Sequence, residues 1–481
     1  METTILDHVV RYPTSGLDVL VVGGGIGGLM TALECWRKGH NVTVLEKSPH
    51  AATIGDAIII NPSGWSALPK YPTMMEELTK ISIDAQRIFY NLDGSIAGPP
   101  LEFEHNMKGA AEHAAFPLHI GALLGRADLA QMLLDQCERL EIPIHWDVNI
   151  VDYGEGLDVK KGFAIRADGH RYTADVVIAA DGLGSKSHRI TMGQQTRAVS
   201  TGYVIYRSVI PLTGGVSEIL FDTVQKSGRG EFRLYMGHNM HIALVLSKRL
   251  VTFAITLPDD NQGTATESWS SFISSAKLLQ SLPPIDKLDP LIVAMLKSLP
   301  EDRIVAWKLC MRNPQPTWSS PGGHVVQVGD SAHSYIPTSG SGGTMALEDS
   351  ASIAECLRLG AKGNICNAVK VHELLRKQRV TLLQRMGLAV RSSLHAKETE
   401  SPKDAPEIML QGKWLWAHNP ELYARDNFDR ATLHLRNKEP FQNTNLPKGY
   451  VYEDWTLEGE IERETSGRSL DIHATGDWSI N

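Results

Sequence analysis

The sequence lacks most of the features that would commit a chain to a special environment. It holds only 5 cysteines in 481 residues, at positions 35, 137, 310, 356 and 366. Their number is odd, they are scattered, and no two form a C-x-x-C pair. A disulfide framework is therefore not indicated, and a reducing compartment, by default the cytosol, is expected. No His/Cys cluster has metal-ligand spacing, so no metal site is expected. Uninterrupted apolar runs of membrane length are missing too. The 18-residue stretch Met240–Leu257 comes nearest, but Ser247–Lys248–Arg249 split it, and it reads as the two strands of a hairpin. The first 16 residues carry Glu2, Asp7 and Arg11 and have no apolar core of the kind a signal peptide needs. Positive charge is not in excess: the formal net charge of −8 argues against nucleic acid or an anionic membrane as the main partner. Repeats and low-complexity segments are absent. What remains is an ordinary soluble composition, 42% apolar and 21% charged, long enough for two or three domains or one large interleaved body.

The most informative stretch is residues 17–46. An apolar run, Leu20–Val22, stops at Gly23–Gly24–Gly25–Ile26–Gly27–Gly28, gives way to helix-forming residues, and is followed by a second β-branched run, Val42–Leu45, ending in Glu46. This reads as strand, glycine turn, helix and strand, with a carboxylate at the tip of the second strand. Gly23 permits the tight turn, Gly25 lets backbone N–H groups approach a pyrophosphate, and Gly28 lets the helix pack on the strand. The helix N-terminus, at Ile26, offers partial positive charge to phosphate, and Glu46 can accept hydrogen bonds from an adenosine ribose. A dinucleotide site is expected, with Lys47 and Ala57 counted among its neighbours.

Further along, Ile54–Pro62 combines glycine, small residues and a short apolar run, as backbone does where it passes a flat group. Residues 63–80 look helical, and 81–105 read as strand and hairpin around Asn91–Gly94. Leu124–Gly125–Arg126–Ala127–Asp128 opens a helix. Residues 143–173 alternate like short strands. Asp175–Ala180 is a near-continuous apolar strand that breaks at Asp181–Gly182, with Ser185, Ser187 and Arg189 following. Residues 200–260 have the texture of an antiparallel sheet and 267–300 that of helix. A third strand-to-loop junction, His324–Gly329, leads into Asp330 and His333, then Pro337, the loop Ser339–Gly343 and a helix containing Glu348–Asp349. Residues 367–397 suit one long helix, and 398–481 read as an irregular tail.

Taken in order, the Gly23–Gly28 turn with Glu46, the Arg126-x-x-Leu129 helix start, Asp181–Gly182 with Ser185 and Arg189, and Gly329–Asp330 with His333, Pro337, Gly342–Gly343 and Glu348–Asp349 resemble the single-component FAD-dependent aromatic monooxygenases. Para-hydroxybenzoate and salicylate hydroxylases belong to that group, and fungal secondary-metabolite enzymes acting on phenols or indole alkaloids look most similar. The resemblance implies an α/β fold: a Rossmann-like FAD-binding domain interleaved with an antiparallel β-sheet substrate domain, plus C-terminal helices. It places the FAD-binding domain at 1–80, 106–190 and 320–397, the substrate domain at 81–105 and 191–319, and the tail at 398–481.

The same resemblance implies roles. Arg126 would reach the FAD pyrophosphate or ribityl region, Asp181 would touch FAD and the nicotinamide donor, and Asp330 would hold the ribityl hydroxyls. Gly342 and Gly343 would present N–H groups to the flavin pyrimidine. Arg207, in Tyr203–Arg207, would be the catalytic cation, and Tyr235 would reach the substrate. His333 reads as a structural imidazole. Two departures stand out: Gly55–Asp56–Ala57–Ile58 replaces the usual Gly-Ala-Gly-Ile, and Ser339–Gly343 replaces Gly-Gly-Gln-Gly. The implied chemistry uses FAD, NADPH or NADH, and O2, and passes one oxygen atom from C4a-hydroperoxyflavin to an electron-rich aromatic or indole substrate by hydroxylation or epoxidation. The alternatives are an FAD-dependent dehydrogenase or other oxidoreductase without oxygen insertion, and a nucleotide-binding regulator without turnover. Trp414–Leu415–Trp416 lacks the Ile-Pro that would point to a halogenase.

Overall fold

A computed structural model describes residues 4–51, 55–107, 109–110, 115–116, 121–156, 158–210, 218–226, 228–259, 271–299, 303–395, 411–468 and 470–480. The opening stretch forms the strand Asp18–Val22, the helix Ile26–Arg37 and the strand Asn41–Leu45. Asp18–Val22 is the centre of a five-stranded sheet, flanked by Asn41–Leu45 and Ile144–His145 on one side and by Val176–Ala179 and Val325–Gln327 on the other, all parallel. Its strands are apolar on both faces because both are covered. Val19, Val21, Ile178 and Val326 pack toward the helices, while Leu20, Val22, Val177 and Val325 pack toward an antiparallel meander. That meander is Ile150–Gly156, Lys161–Arg166 and Arg171–Ala174, the alternating segment of the sequence. Because the strands run in parallel, Gly23, Glu46, Ala180 and Val328 all emerge at one edge of the sheet, where open α/β sheets bind ligands.

A second sheet has seven strands in the order Phe272–Ile273, Ile304–Met311, Val199–Ile210, Val251–Pro258, Met240–Leu246, Gly230–Gly237, Ala85–Asn91. The hairpin expected within 240–257 is present, with its turn after Leu246. The sheet is antiparallel except at one edge, where Gly230–Gly237 runs parallel to Ala85–Asn91, a strand supplied by a distant part of the chain.

Three expectations need correction. Prolines at 62, 69 and 72 restrict the expected 63–80 helix: turns and a short 3-10 segment, Leu68–Lys70, precede a helix that starts on Pro72 and ends at Ile81. The described part of 267–300 contains the strand Phe272–Ile273 and two helices, Ser275–Gln280 and Pro290–Lys297, separated at Pro283–Pro284. The single long helix expected at 367–397 is present and runs from Ile365 to Leu394; residues 396–397 lie outside the described residues. The tail is not irregular: its described part holds the helices Lys413–Trp416, Pro420–Asn437 and Leu457–Thr465. Ala424, Phe428 and Ala431 bury the inner face of the 18-residue helix in the main core, a stripe at helical spacing among many charged residues. Ile54, and residues 398–410 of the tail, lie outside the described residues.

Candidate active site

Three helices begin at one cleft: Gly25 and Ile26, Arg126, and Gly342 and Gly343 all line it. These helices are 12, 14 and 19 residues long, and none has a side-chain hydrogen bond capping its N-terminus. The first N–H groups of a helix need acceptors and carry partial positive charge, so three uncapped ends at one cleft make a receptor for phosphate and other electron-rich groups.

The glycines of the turn separate by what excludes a side chain. A Cβ on Gly23, whose φ is +114°, would lie 2.3 Å from the Ala180 carbonyl oxygen, and one on Gly28 would lie 1.9 Å from the Gly23 carbonyl oxygen. Both residues are glycine because the helix and two strands meet there. A Cβ on Gly25 would meet nothing within 4 Å, and Gly25 has an ordinary φ of −78°. Neither protein packing nor backbone strain excludes a side chain at Gly25; it borders the cleft itself.

Around this cradle the remaining residues take different places. Glu46 accepts hydrogen bonds from the Gly24 N–H (2.6 Å) and the Ser48 N–H (2.8 Å), which fixes its carboxylate beside the turn. Lys47 is exposed on the following loop. Ala57 and Arg126 line the cleft, and the two segments are tied by a hydrogen bond from the Arg126 N–H to the Asp56 carbonyl oxygen (2.9 Å). Asp330 lies on the floor, hemmed in by protein yet with its side chain open to the cleft; burial pushes its carboxyl above the usual range, opposed by His333, Arg126 and Arg312. Asp181 is turned aside, accepting from the Tyr153 hydroxyl (2.7 Å) and the Ser331 hydroxyl (3.1 Å), while its neighbours Ala180 and Gly182 line the cleft. Ser185 and Arg189 do not line it; Arg189 is paired with Asp152 at the surface.

The turn that carries Asp330 is held from behind. Asp349 accepts from the Gly329 N–H (3.0 Å), lies 2.5 Å from His333 Nε2, and pairs with Arg376 (2.7 Å). Glu348 pairs with Arg376 and with Arg379 (2.8 Å). Burial pushes the Glu348 carboxyl up, but Arg379 and Arg376 outweigh it and hold it at about 2. Arg379 also donates to the carbonyl oxygens of Trp414, Leu415 and Asn445, each at 2.9 Å, so this network anchors the C-terminal segment. His333 is thus a buried structural group, as its position suggested.

Arg207 and Tyr235 fare differently. Arg207 lines the cleft, pairs with Asp56 (3.3 Å) and lies over the Trp307 ring, 5.2 Å from its centroid. Burial lowers its affinity for its proton, partly offset by Asp56. Tyr235, expected to reach the substrate, is not among the residues that line either cavity. Alternation along its strand turns Phe232 and Leu234 toward the cavity and Tyr235 into the core on the opposite face, where it is fully buried, stacks on Tyr90 and donates to Asp289 (2.8 Å).

A second cavity adjoins the cleft and shares Ile59, Ile205, Phe232, Ala243 and Ala254 with it. Its walls are mostly apolar by area, with Asn61, Arg87, Glu104, His105, His241 and Gln411 among the polar residues that interrupt them. Glu104 accepts from the Gln411 and Gly412 N–H groups (2.6 and 2.7 Å), which seats Gln411 and Trp416 of the C-terminal segment in the wall. These residues escaped the sequence reading because none belongs to a motif. His241 alone carried a signal, being a histidine in the otherwise apolar strand Met240–Leu246. Among the described residues no group of three or more His, Cys, Asp or Glu could hold a metal ion.

Comparison with known proteins agrees with this geometry. Residues 18–115 match the family model of FAD dependent oxidoreductases. The chain is 34% identical to the FAD-dependent monooxygenase fsr3 of Gibberella fujikuroi, with 98% of this chain and 91% of that protein covered. It is 36% identical to the FAD-dependent monooxygenase dmxR9 of a Cryptosporiopsis species (99% and 93% covered). Among solved structures, FqzB superposes with a TM-score of 0.78 at 25% identity, over 92% of this chain and 99% of that one. CtdE in complex with FAD and a substrate gives 0.76 at 25%, over 87% and 99%. A salicylate hydroxylase substrate complex, at 21% identity and a TM-score of 0.66, over 85% and 98%, shares the fold. The near-full-length identity to named enzymes decides the family: this chain belongs to the FAD-dependent monooxygenases.

Proposed function

We propose that this enzyme inserts one oxygen atom of O2 into an electron-rich aromatic or indole-bearing small molecule, with NADPH or NADH as the reductant. The observation that carries this reading is the mostly apolar cavity sharing a wall with the cleft, with the Arg207 cation at the cleft side. FAD, when bound, supplies the hydride-accepting and oxygen-transferring chemistry; the chain supplies position, charge and exclusion of water.

In this reading Gly23 and Gly28 shape the turn and Gly25 and Ile26 receive the pyrophosphate. Glu46 accepts from the adenosine ribose, Arg126 neutralises phosphate, Asp330 accepts from the ribityl hydroxyls, and Gly342 and Gly343 donate to the flavin pyrimidine. The parallel sheet and its covering helices, 1–80, 106–190 and 320–397, act as the FAD-binding domain, and 81–105 with 191–319 as the substrate domain. Arg207 places positive charge where negative charge develops on the substrate oxygen.

The test is mass spectrometry of products formed from a panel of phenols and tryptophan-derived indoles under isotopically labelled O2. A product heavier than its substrate by one labelled oxygen atom is expected. Reduction of FAD by NADPH with oxidised but unoxygenated product would instead indicate a dehydrogenase.

A further inference from the structure

His241 and His395 meet at the far wall of the second cavity. His241 lies on the strand Met240–Leu246 with Ala243 beside it on the same face, and forms part of the cavity wall. His395 caps the C-terminus of the long helix Ile365–Leu394, whose Val390 and Leu394 line the same space. The two rings are joined by one hydrogen bond, His241 Nδ1 to His395 Nε2, 2.7 Å long. Both side chains are almost fully buried. With Nδ1 committed to His395, Nε2 is the remaining polar atom of the His241 ring, a residue of the cavity wall.

A single shared proton couples the two rings. Two neutral tautomer pairs satisfy the contact: with the proton on His241 Nδ1, His241 Nε2 is a bare acceptor and His395 Nδ1 is protonated; with it on His395 Nε2, His241 Nε2 is protonated and donates and His395 Nδ1 is bare. The pair therefore presents either hydrogen-bonding role to the cavity without acquiring charge. Charge is opposed by the surroundings: burial, helped by Arg391, brings His241 down to about 3, and burial, His241, Arg391 and the exposed His238 bring His395 down to about 2. Among the described residues, the Tyr203 ring also faces the pair, 5.0 Å from that of His395, and Arg391 is itself paired with Glu464. The Arg391 guanidinium lies over the Tyr203 ring, 4.7 Å from its centroid.

We propose that the His241–His395 pair is a neutral polar point in the wall of the substrate cavity and binds a neutral hydroxyl of a largely apolar, ring-shaped substrate through His241 Nε2. This rests on the second cavity being the substrate site. A carboxylate is disfavoured at this point, since the neutral pair brings it no compensating charge. Selection for a hydroxyl follows from the cost of leaving a buried polar atom without a partner when a purely apolar ligand binds.

The test uses the FAD-loaded enzyme and two probes of the same shape, β-naphthol and β-methylnaphthalene, titrated against the visible spectrum of the oxidised flavin. No reductant is added, so the result is independent of whether oxygen is inserted. The parent is expected to prefer the naphthol by about three- to tenfold, the worth of one neutral hydrogen bond. His241→Asn keeps an amide at the Nδ1 position to satisfy His395 while removing Nε2, and should erase the preference with unchanged flavin content. His241→Gln, whose amide reaches the Nε2 position, should restore much of it. The preference should be the same in mildly acidic and mildly basic buffer. Equal affinity of the parent for both probes, including binding of neither, overturns the proposal; so does a His241→Asn protein that keeps the parental preference. Failure of oxygen insertion in the labelled-O2 experiment, with the naphthol preference intact, would overturn the reaction and leave this site standing.

Discussion

Asp56 and Arg207, 151 residues apart in the chain, form an ion pair of 3.3 Å at the wall of the cleft, with both side chains largely shielded from solvent. Asp56 occupies the position where the sequence departs from the Gly-Ala-Gly-Ile pattern of the enzymes it resembles. The structure gives that departure a physical partner: the extra carboxylate faces the arginine proposed to act on the substrate. A buried guanidinium needs an anion or a set of acceptors to remain charged at tolerable cost, and Asp56 offsets the burial that otherwise weakens its hold on its proton.

Arg207→Ala should therefore retain FAD and lose product formation by about 100-fold or more, the scale seen when one donor to developing charge is removed. Asp56→Asn keeps the shape and removes the charge, and should slow product formation by about tenfold with flavin content unchanged. Product yield per NADPH consumed, measured beside flavin absorbance, checks both. Parental product rates in Arg207→Ala would refute the assignment.

Tyr235→Phe should leave turnover at the parental level, since the ring packs in the core behind the sheet. Its cost is the hydrogen bond to Asp289, about 1 kcal/mol of stability by urea unfolding. A large loss of turnover at unchanged stability would return Tyr235 to the active site.

How much of this could be read from the sequence depends on the range of the interaction. The turn Gly23–Gly28, the carboxylate Glu46 and the junctions at Asp181 and Asp330 are local patterns, and all lie where strands of one sheet end together. The face that Tyr235 occupies is not legible because a strand covered on both faces gives no alternation to choose a side: Phe232, Leu234 and Tyr235 are all buried. The Asp56–Arg207 pair, the seat of Gln411 on Glu104, and the His241–His395 contact join segments more than 100 residues apart. No periodicity reports such contacts. The helix Pro420–Asn437 was lost among charges that turn out to be paired, such as Glu421 with Arg37, Lys38 and Arg425.

Glu348 should make the fold acid-sensitive in a defined window. Its carboxyl is held at about 2 in the folded protein against an ordinary value of 4.5, so its contribution is fully present above 4.5 and is lost as pH falls toward 2. Urea midpoints should fall across that window in the parent and less steeply in Glu348→Gln. At neutral pH the Glu348→Gln protein should be less stable by about 3–5 kcal/mol, because Arg376 and Arg379 are left buried with reduced compensation. A parental midpoint at neutral pH would contradict this.

The glycine turn gives a contrast between fold and cofactor. Gly28→Val should fail to fold, since its first side-chain atom would fall 1.9 Å from a carbonyl oxygen, whereas the Cβ of Gly25→Val has no protein atom within 4 Å and this variant should fold normally. The most direct measurement is the visible absorption of purified parent and Gly25→Val proteins after incubation with FAD, read beside their far-ultraviolet circular dichroism. The account predicts a yellow parent and a colourless Gly25→Val protein with the same circular dichroism. A parent that stays colourless, or a Gly25→Val protein that takes up FAD in full, would contradict the claim that this cleft is where the cofactor sits.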